Sequence, residues 1–550
     1  MSQEKSRIDS FNVSMGGVSS RPPQVASLDK WNVLVCSDLG FVSKTMHGVR
    51  IADWNEFMAS CGITLRGSAP FEDHGPLFFE CPVASMKDFS VDTLTAKAPL
   101  FAPYSKTIFA LKQLVEAKTS VADATALIRQ SGIHAADRDA ALAAIGSQTP
   151  EAPVPQAPKQ AFSPLDNILS MVSTAPSDGG LPHTATEALF KSVGADNAPK
   201  INTDKIIAQI NFLTARLSQM VEAVTGQQFF YAKKASWAGL QTLAKVVGRK
   251  KDIDVHVFSA QSSDMEDQLP RILSSCMEQG FAPDIIVWDY LLSFSNADMQ
   301  LLGRISSIAE QYKSMLISPL SMQETLFKGI SSKNDVTHIF DSVAMLPYKS
   351  MRKSQPARCI CLCGPTLAPQ DAVTPFGPNA CWFVASRWAE MVLSEMNPFA
   401  AKEILPPHDS IFALSRVFGV DVSKAVVSDA SQNGITLFEA SVHEASLDKC
   451  VTIIDNNQVA PCYCSFLFNL LVNRVVRIAG IRLLMLSPSH DKRSCAVQLQ
   501  NHIAAELAAY HAISQPGQVS AHVDDDGKIT INIDSNETIA GNAIRFTFSF

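Results

Sequence analysis

Phe229-Phe230-Tyr231-Ala232-Lys233-Lys234-Ala235-Ser236-Trp237-Ala238-Gly239-Leu240 is the most informative segment of the chain. It lies within residues 206–247, where apolar side chains recur three and four apart: Ile206, Ile210, Leu213, Leu217, Met220 and Val224, then Phe230, Trp237, Leu240 and Leu243. That spacing gathers each set on one face of a helix, so two amphipathic helices in succession are expected. Nothing in the stretch looks like chemistry. A mechanical part is therefore favoured over an enzyme.

The chain has 550 residues, too many for one compact domain, and roughly two to four are expected. A net charge of −7 gives no electrostatic reason to bind nucleic acid. Two basic clusters, Arg249-Lys250-Lys251 and Arg474 with Arg477, are short and read as solvated faces. The start, Met1-Ser2-Gln3-Glu4-Lys5-Ser6-Arg7, lacks the apolar core of a signal peptide. The most hydrophobic window, residues 466–486, is interrupted by Asn469, Asn473, Arg474, Arg477 and Arg482. Arginines are costly at mid-bilayer, so a buried helix with one polar stripe is expected there, with no direct membrane insertion. A cytoplasmic location follows as the expectation.

Twelve cysteines are scattered without a CxxC pair. Cys359, Cys361 and Cys363 would share one face of a strand, and Cys462 with Cys464 repeats the spacing. With no histidine near to complete a ligand set, they read as small apolar strand residues, and no metal site or cofactor is expected. Free thiols suit a reducing compartment.

The chain breaks in composition at residues 147–163, where Pro150, Pro153, Pro155 and Pro158 fall close together. A semi-extended linker of this kind reaches roughly 50 Å. Inside the low-complexity region Leu165, Ile168, Leu169 and Val172 fall at i, i+3, i+4 and i+7, a short amphipathic helix that docks either on a partner or on its own protein. Before the break, strands are expected at residues 11–15, 31–36 and 77–81. After it, strands at 253–258, 283–290 and 315–319 alternate with helices, which makes a mixed α/β sheet the expected fold. Near the end the period changes to two: Ile529, Ile531 and Ile533 share one strand face, and Ile544, Phe546 and Phe548 share another. Asp524-Asp525-Asp526-Gly527 reads as a hairpin turn.

The order of an isoleucine-rich helix, an aromatic pair and Ser236-Trp237-Ala238-Gly239-Leu240 resembles the start of the large sheath subunit of type VI secretion systems. Residues 289–319, 359–377, Pro378-Asn379-Ala380 and Asn433-Gly434-Ile435-Thr436-Leu437 continue that likeness in order. Residues 31–40, 86–92 and 98–115 resemble the small sheath subunit. The resemblance implies the small (TssB/VipA-like) and large (TssC/VipB-like) subunits fused in one chain: 1–146 small-subunit-like, 147–200 linker with its short helix, 201–550 large-subunit-like. Ala238 departs from the pattern, since the large subunit usually carries arginine there. So does Asn397-Pro398-Phe399-Ala400-Ala401-Lys402, which replaces a glycine-rich acidic loop.

The resemblance further implies a structural protomer that stacks with itself in a helical six-fold polymer around an inner tube protein, docks on a baseplate, and contracts. It implies strand exchange between protomers through Phe11, Val13 and Met15 at one end and Ile529, Ile531, Ile533, Ile544, Phe546 and Phe548 at the other. It implies capture of the helix bearing Leu165, Ile168, Leu169 and Val172 by a recycling AAA+ unfoldase. Arg474, Arg477 and Arg482, roughly along one side of a helix, are candidates to meet the inner tube, with internal ion pairs as the competing reading. The alternative class is an α/β nucleotide-binding or hydrolytic enzyme. No phosphate loop, dinucleotide fingerprint, zinc-protease or nucleophile-elbow motif supports it. Its best catalytic candidate is Asp289, at the end of the 285–288 strand.

Overall fold

The computed structural model describes residues 10–12, 30–71, 75–146, 202–248, 252–321, 337–364, 367–369, 377–395, 415–417, 424–440, 445–446, 450–457, 459–485, 491–539 and 542–550. The expected strand positions Val13 and Met15, the docking helix at Leu165, Ile168, Leu169 and Val172, and the 397–402 loop lie outside these residues. In chain order the strands are β1 Ser10–Asn12, β2 Trp31–Ser37, β3 His47–Val49, β4 Ile63–Ala69, β5 Leu77–Val83, β6 Ile253–Ser259, β7 Ile285–Trp288, β8 Met315–Pro319 and β9 Ile360–Gly364. They continue with β10 Leu367–Pro369, β11 Ser415–Val417, β12 Ile435–Leu437, β13 Glu439–Ala440, β14 Ala445–Ser446, β15 Val519–Val523, β16 Ile529–Ile539 and β17 Asn542–Ser549. The chain divides into two compact units, Met1–Ile63 with Tyr231–Phe550, and Thr64–Phe230. Ranges 1–146 and 201–550 thus each contribute to both units.

The larger unit is built on a seven-stranded sheet in the order β12-β9-β8-β7-β2-β6-β3. Its strands are parallel except β3, which runs antiparallel to β6. Every residue of β2, Trp-Asn-Val-Leu-Val-Cys-Ser, is buried. β7, β8 and β9 are buried throughout as well. Such unbroken apolar runs are what parallel strands need when both faces are covered. β2 is the central surprise. It comes from the N-terminal region yet lies between β6, in register Trp31↔Ile253 to Ser37↔Ser259, and β7, in register Val33↔Ile285 to Cys36↔Trp288.

Helices Asn296–Gln311, Ala380–Glu395 and Phe466–Met485 pack on this sheet. Trp237, from the helix Gln228–Val247, is fully buried and donates its indole N–H to Leu39 O at 2.9 Å. Gly239, two residues on, meets the Trp382 ring so closely that a Cβ would stand 2.4 Å from its Cγ.

A second sheet of this unit has the order β1-β17-β16-β15. β15 and β16 are joined by the turn at Asp524–Gly527, closed by Gly527 N–H on Asp524 O at 2.8 Å, with Gly527 at φ 73°. Ile529, Ile531, Ile533, Ile544, Phe546 and Phe548 are all buried within the chain. The sheet packs on the helix Lys492–Ala509.

The smaller unit holds the pair β4–β5 and the helices Val91–Lys97, Ala102–Val115, Val121–Gln130, Ala135–Gly146 and Thr203–Thr225. β5 alternates, with Leu77, Phe79, Cys81 and Val83 inward. Ser90, Ser120 and Asn202 cap three of the helices through side-chain oxygens, each worth about 1 kcal/mol. The face predicted for Thr203–Thr225 is the buried one: Ile206, Ile210, Leu213, Leu217, Met220 and Val224 are inside. Arg216 is buried with them, its Nε 3.3 Å from Asp137, which also accepts the Tyr104 hydroxyl at 2.7 Å.

Candidate functional site

β7 carries a buried carboxylate at each end. Asp284, immediately before it, is 1% exposed. Its Oδ2 accepts the Asn32 backbone N–H at 2.8 Å, which ties the entry of β7 to that of β2. Its Oδ1 accepts Arg474 Nη1 at 3.0 Å and a close contact from Arg477 Nη2.

The two arginines lie three apart on the helix Phe466–Met485, hence on one side of it. Arg474 also donates to Lys30 O at 3.3 Å and to Glu506 at 3.4 Å, with its guanidinium 4.0 Å from the centre of the Trp31 ring. Arg477 Nη1 donates to Pro283 O at 3.0 Å and Lys313 O at 3.2 Å. Burial works against the charge on both. For Arg474 the attraction of Asp284 prevails and raises its pKa. For Arg477 burial prevails and, with the neighbouring Arg474 charge, lowers it.

Of the two readings of Arg474 and Arg477, tube contact and internal ion pairs, the structure shows the ion pairs. The two arginines are 2% and 8% exposed, and their donors are spent on Asp284 and on carbonyls at the strand entries. The polar stripe turns inward because it finds a buried counter-charge. Arg482, five residues further along the helix, is half-buried.

At the other end of β7, Asp289 is also inaccessible, 6% exposed. Ser37 Oγ at 2.8 Å and Ser236 Oγ at 2.5 Å donate to its Oδ2, while Asn379 Nδ2 donates to Oδ1 at 2.7 Å. Cys381 Sγ stands 3.7 Å from the same Oδ1. Burial pushes this carboxyl up from its usual range despite the donors. The group joins the exit of β2, the helix Gln228–Val247 and the start of the helix Ala380–Glu395. In this structure its oxygens are engaged in holding those three segments together. Sequence reasoning missed Asp284, Ser236 and Asn379. The available signal was a small polar residue directly beside an apolar helix position, as Ser236 is beside Trp237.

The strands at the two ends of the chain pair with each other in this structure. β1 lies parallel on β17, with Phe11 opposite Phe548, because β17 offers a free backbone edge. The apolar rows of β16 and β17 are core, with Phe468 packed edge-to-face on Phe546 at 5.9 Å.

Cys359, Cys361 and Cys363 occupy β9 and its entry and are fully buried. Cys462 and Cys464 sit in the 3-10 turn Pro461–Cys464 rather than in a strand. Among the described residues no group of three or more His, Cys, Asp or Glu is placed to hold a metal, and no helix is long and apolar enough to cross a membrane.

Residues 204–379 match the family model described as VipB, EvpB/VC_A0108, tail sheath N-terminal domain. The chain is 22% identical over 200 residues to the type VI secretion system sheath protein TssC1 of Pseudomonas aeruginosa, covering 33% of this chain and 40% of that protein. It therefore spans less than half the length of this curated relative. Among solved structures it is similar to the sheath tail protein of Desulfitobacterium hafniense, with TM-score 0.34 and 11% identity over 53% of this chain and 61% of that one. It is also similar to the sheath of an extracellular contractile injection system, the PVC sheath complex in its contracted state, with TM-score 0.33 and 10% identity over 56% and 75% of the two chains.

Proposed function

We propose that this chain is a structural, non-enzymatic protomer of a contractile sheath, of type VI secretion or a related contractile injection system. In this reading it polymerises around an inner tube, meets a baseplate, and drives the tube by contracting. The observation that carries the reading is the match of residues 204–379 to a tail sheath domain. That stretch supplies β6, β7, β8 and β9, the middle of the large sheet. The place of β2 among these strands supports the finer reading, in which 1–146 and 201–550 are small- and large-subunit-like parts of one fused protomer. An obligate pair of subunits sharing a sheet gains from being one chain.

Self-assembly through the terminal sheet is part of the proposal. The β1–β17 pairing is only three residues long, and the same hydrogen bonds serve equally between neighbouring copies. Strand exchange along such edges is heterologous and gives a filament rather than a closed ring. Arg482 remains a candidate tube contact, and the segment with Leu165, Ile168, Leu169 and Val172 a candidate unfoldase ligand.

The test is electron microscopy of the purified full chain, alone and with an inner tube protein. Hollow tubes with six-fold helical symmetry are the expected result. A chain that stays monomeric under both conditions contradicts the reading. Deleting residues 1–16 separates the interface from the fold: the truncated chain should stay folded and lose the tubes.

A further inference from the structure

Cys361, in β9, and Cys450 lie 89 residues apart in sequence, yet their sulfurs are 3.7 Å apart. The backbones that carry them are pinned side by side. Thr436 Oγ1 stands 3.4 Å from Cys361 Sγ and accepts the Val451 N–H at 3.0 Å. Ile453 N–H donates to Ile360 O at 3.0 Å. The Cys450 carbonyl in turn accepts the Phe466 N–H at 3.1 Å, at the first turn of the helix Phe466–Met485. The two thiols differ in access: Cys361 is fully buried, whereas Cys450 is half-buried. Cys276, by contrast, is buried and has its sulfur against the Met46 thioether at 3.2 Å.

We propose that Cys361 and Cys450 form an oxidation site, in which hydrogen peroxide converts the thiol pair to a disulfide that staples β9 to the segment leading into the helix Phe466–Met485. Cys450, on the less buried of the two residues, reacts first. The Cys450 sulfur attacks one peroxide oxygen, the O–O bond breaks, and Cys450 becomes a sulfenic acid with release of water. The Cys361 sulfur then attacks the Cys450 sulfur, the S–O bond breaks, and the departing hydroxide leaves as water with the Cys361 proton. Two thiols lose two electrons in total, and the peroxide is reduced to two waters. Bond formation requires the sulfurs to close from 3.7 Å to about 2.05 Å, within reach of side-chain rotation and a small backbone shift. The hydrogen bond between the two thiols and their burial keep Cys450 protonated well above the ordinary thiol range. The reaction therefore runs through a small thiolate fraction and should speed up about tenfold per pH unit near neutrality.

The experiment uses the full chain, reduced, freed of reductant and exposed to hydrogen peroxide. Non-reducing proteolysis and mass spectrometry should find the Cys361 and Cys450 peptides joined, two hydrogens lighter than their sum, and separated again by dithiothreitol. Cys450→Ser should abolish the cross-link. Cys361→Ser should leave Cys450 as a sulfenic acid that dimedone traps. Wild-type protein whose Cys450 runs on to sulfinic acid with Cys361 still reduced overturns the proposal. So does a cross-link of Cys361 to Cys363, or one between chains. The wild-type measurement decides the matter even if a variant fails to fold.

Discussion

Changing Asp284 to Asn removes the carboxylate that two buried guanidiniums share while keeping an oxygen for the Asn32 N–H. Arg477 then keeps the backbone carbonyls Pro283 O and Lys313 O as acceptors. Arg474 still has Glu506 and the face of Trp31. Two charges at a separation of about 4 Å attract by about 4 kcal/mol at an effective dielectric of about 20. Breaking a buried pair by removing one partner costs about 3–5 kcal/mol. Most of this falls on Arg477, so the expected loss is about 4 kcal/mol. Tryptophan emission during urea unfolding is the suitable assay, because Trp31, Trp54, Trp237, Trp288, Trp382 and Trp388 all belong to the larger unit. The signal therefore reports that unit without mixing in the other. With a slope of about 3 kcal/mol per molar urea or more, the midpoint should fall by at most about 1.3 M. Adding Arg477→Met to the Asp284→Asn chain removes the orphaned charge and should recover at least about half the loss. A shift below about 1 kcal/mol, or a double variant no better than the single one, would refute the claim that this cluster is a charge-paired element of the core.

Asp289→Asn should change the pH dependence of stability. Burial raises the folded-state pKa of Asp289, so the folded chain holds this proton more tightly than the unfolded one. Its stability is then lost as pH climbs from about 4 toward the raised value, and stays lost above it. Urea midpoints across that range should fall less steeply for the variant, and equal slopes contradict the assignment. Gly239→Ala puts a methyl into the Trp382 ring and should cost about 1–3 kcal/mol by overpacking, read by the same unfolding curve. Proteolytic nicking within residues 148–160 should leave the two fragments co-eluting on a sizing column, since β2 pairs along its whole length with β6 and from Val33 to Cys36 with β7. Separation without denaturant contradicts that pairing.

Local periodicity was legible wherever burial is one-sided or complete. The helical face from Ile206 to Val224 and the continuous runs at Ile285–Trp288 and Met315–Pro319 appear where the pattern puts them. Partner choice was not legible. Nothing in Trp31–Ser37 says that its neighbours are Ile253–Ser259 and Ile285–Trp288, because many buried apolar strands are interchangeable in composition. The inward turn of Arg474 and Arg477 was also hidden. A polar stripe on a helix reads the same whether it meets water or a buried Asp284. The hub at Asp289 was half legible: its place at a strand end singled it out, but its donors Ser37, Ser236 and Asn379 come from three distant segments.

The insertion of β2 also sets a timetable for biosynthesis. Leu39 N–H, just past that strand, bonds Ser259 Oγ, 220 residues further along the chain. At a translation rate of about 5–20 residues per second, an apolar strand waits roughly 10–45 s on the ribosome before its first neighbour emerges. Made as two polypeptides, the strand would wait for a collision at cellular concentration. Made as one, it meets its neighbours at an effective concentration in the millimolar range. A single chain thus also fixes the supply of β2 and its partner strands at one to one, and no unmatched strand is left over to aggregate.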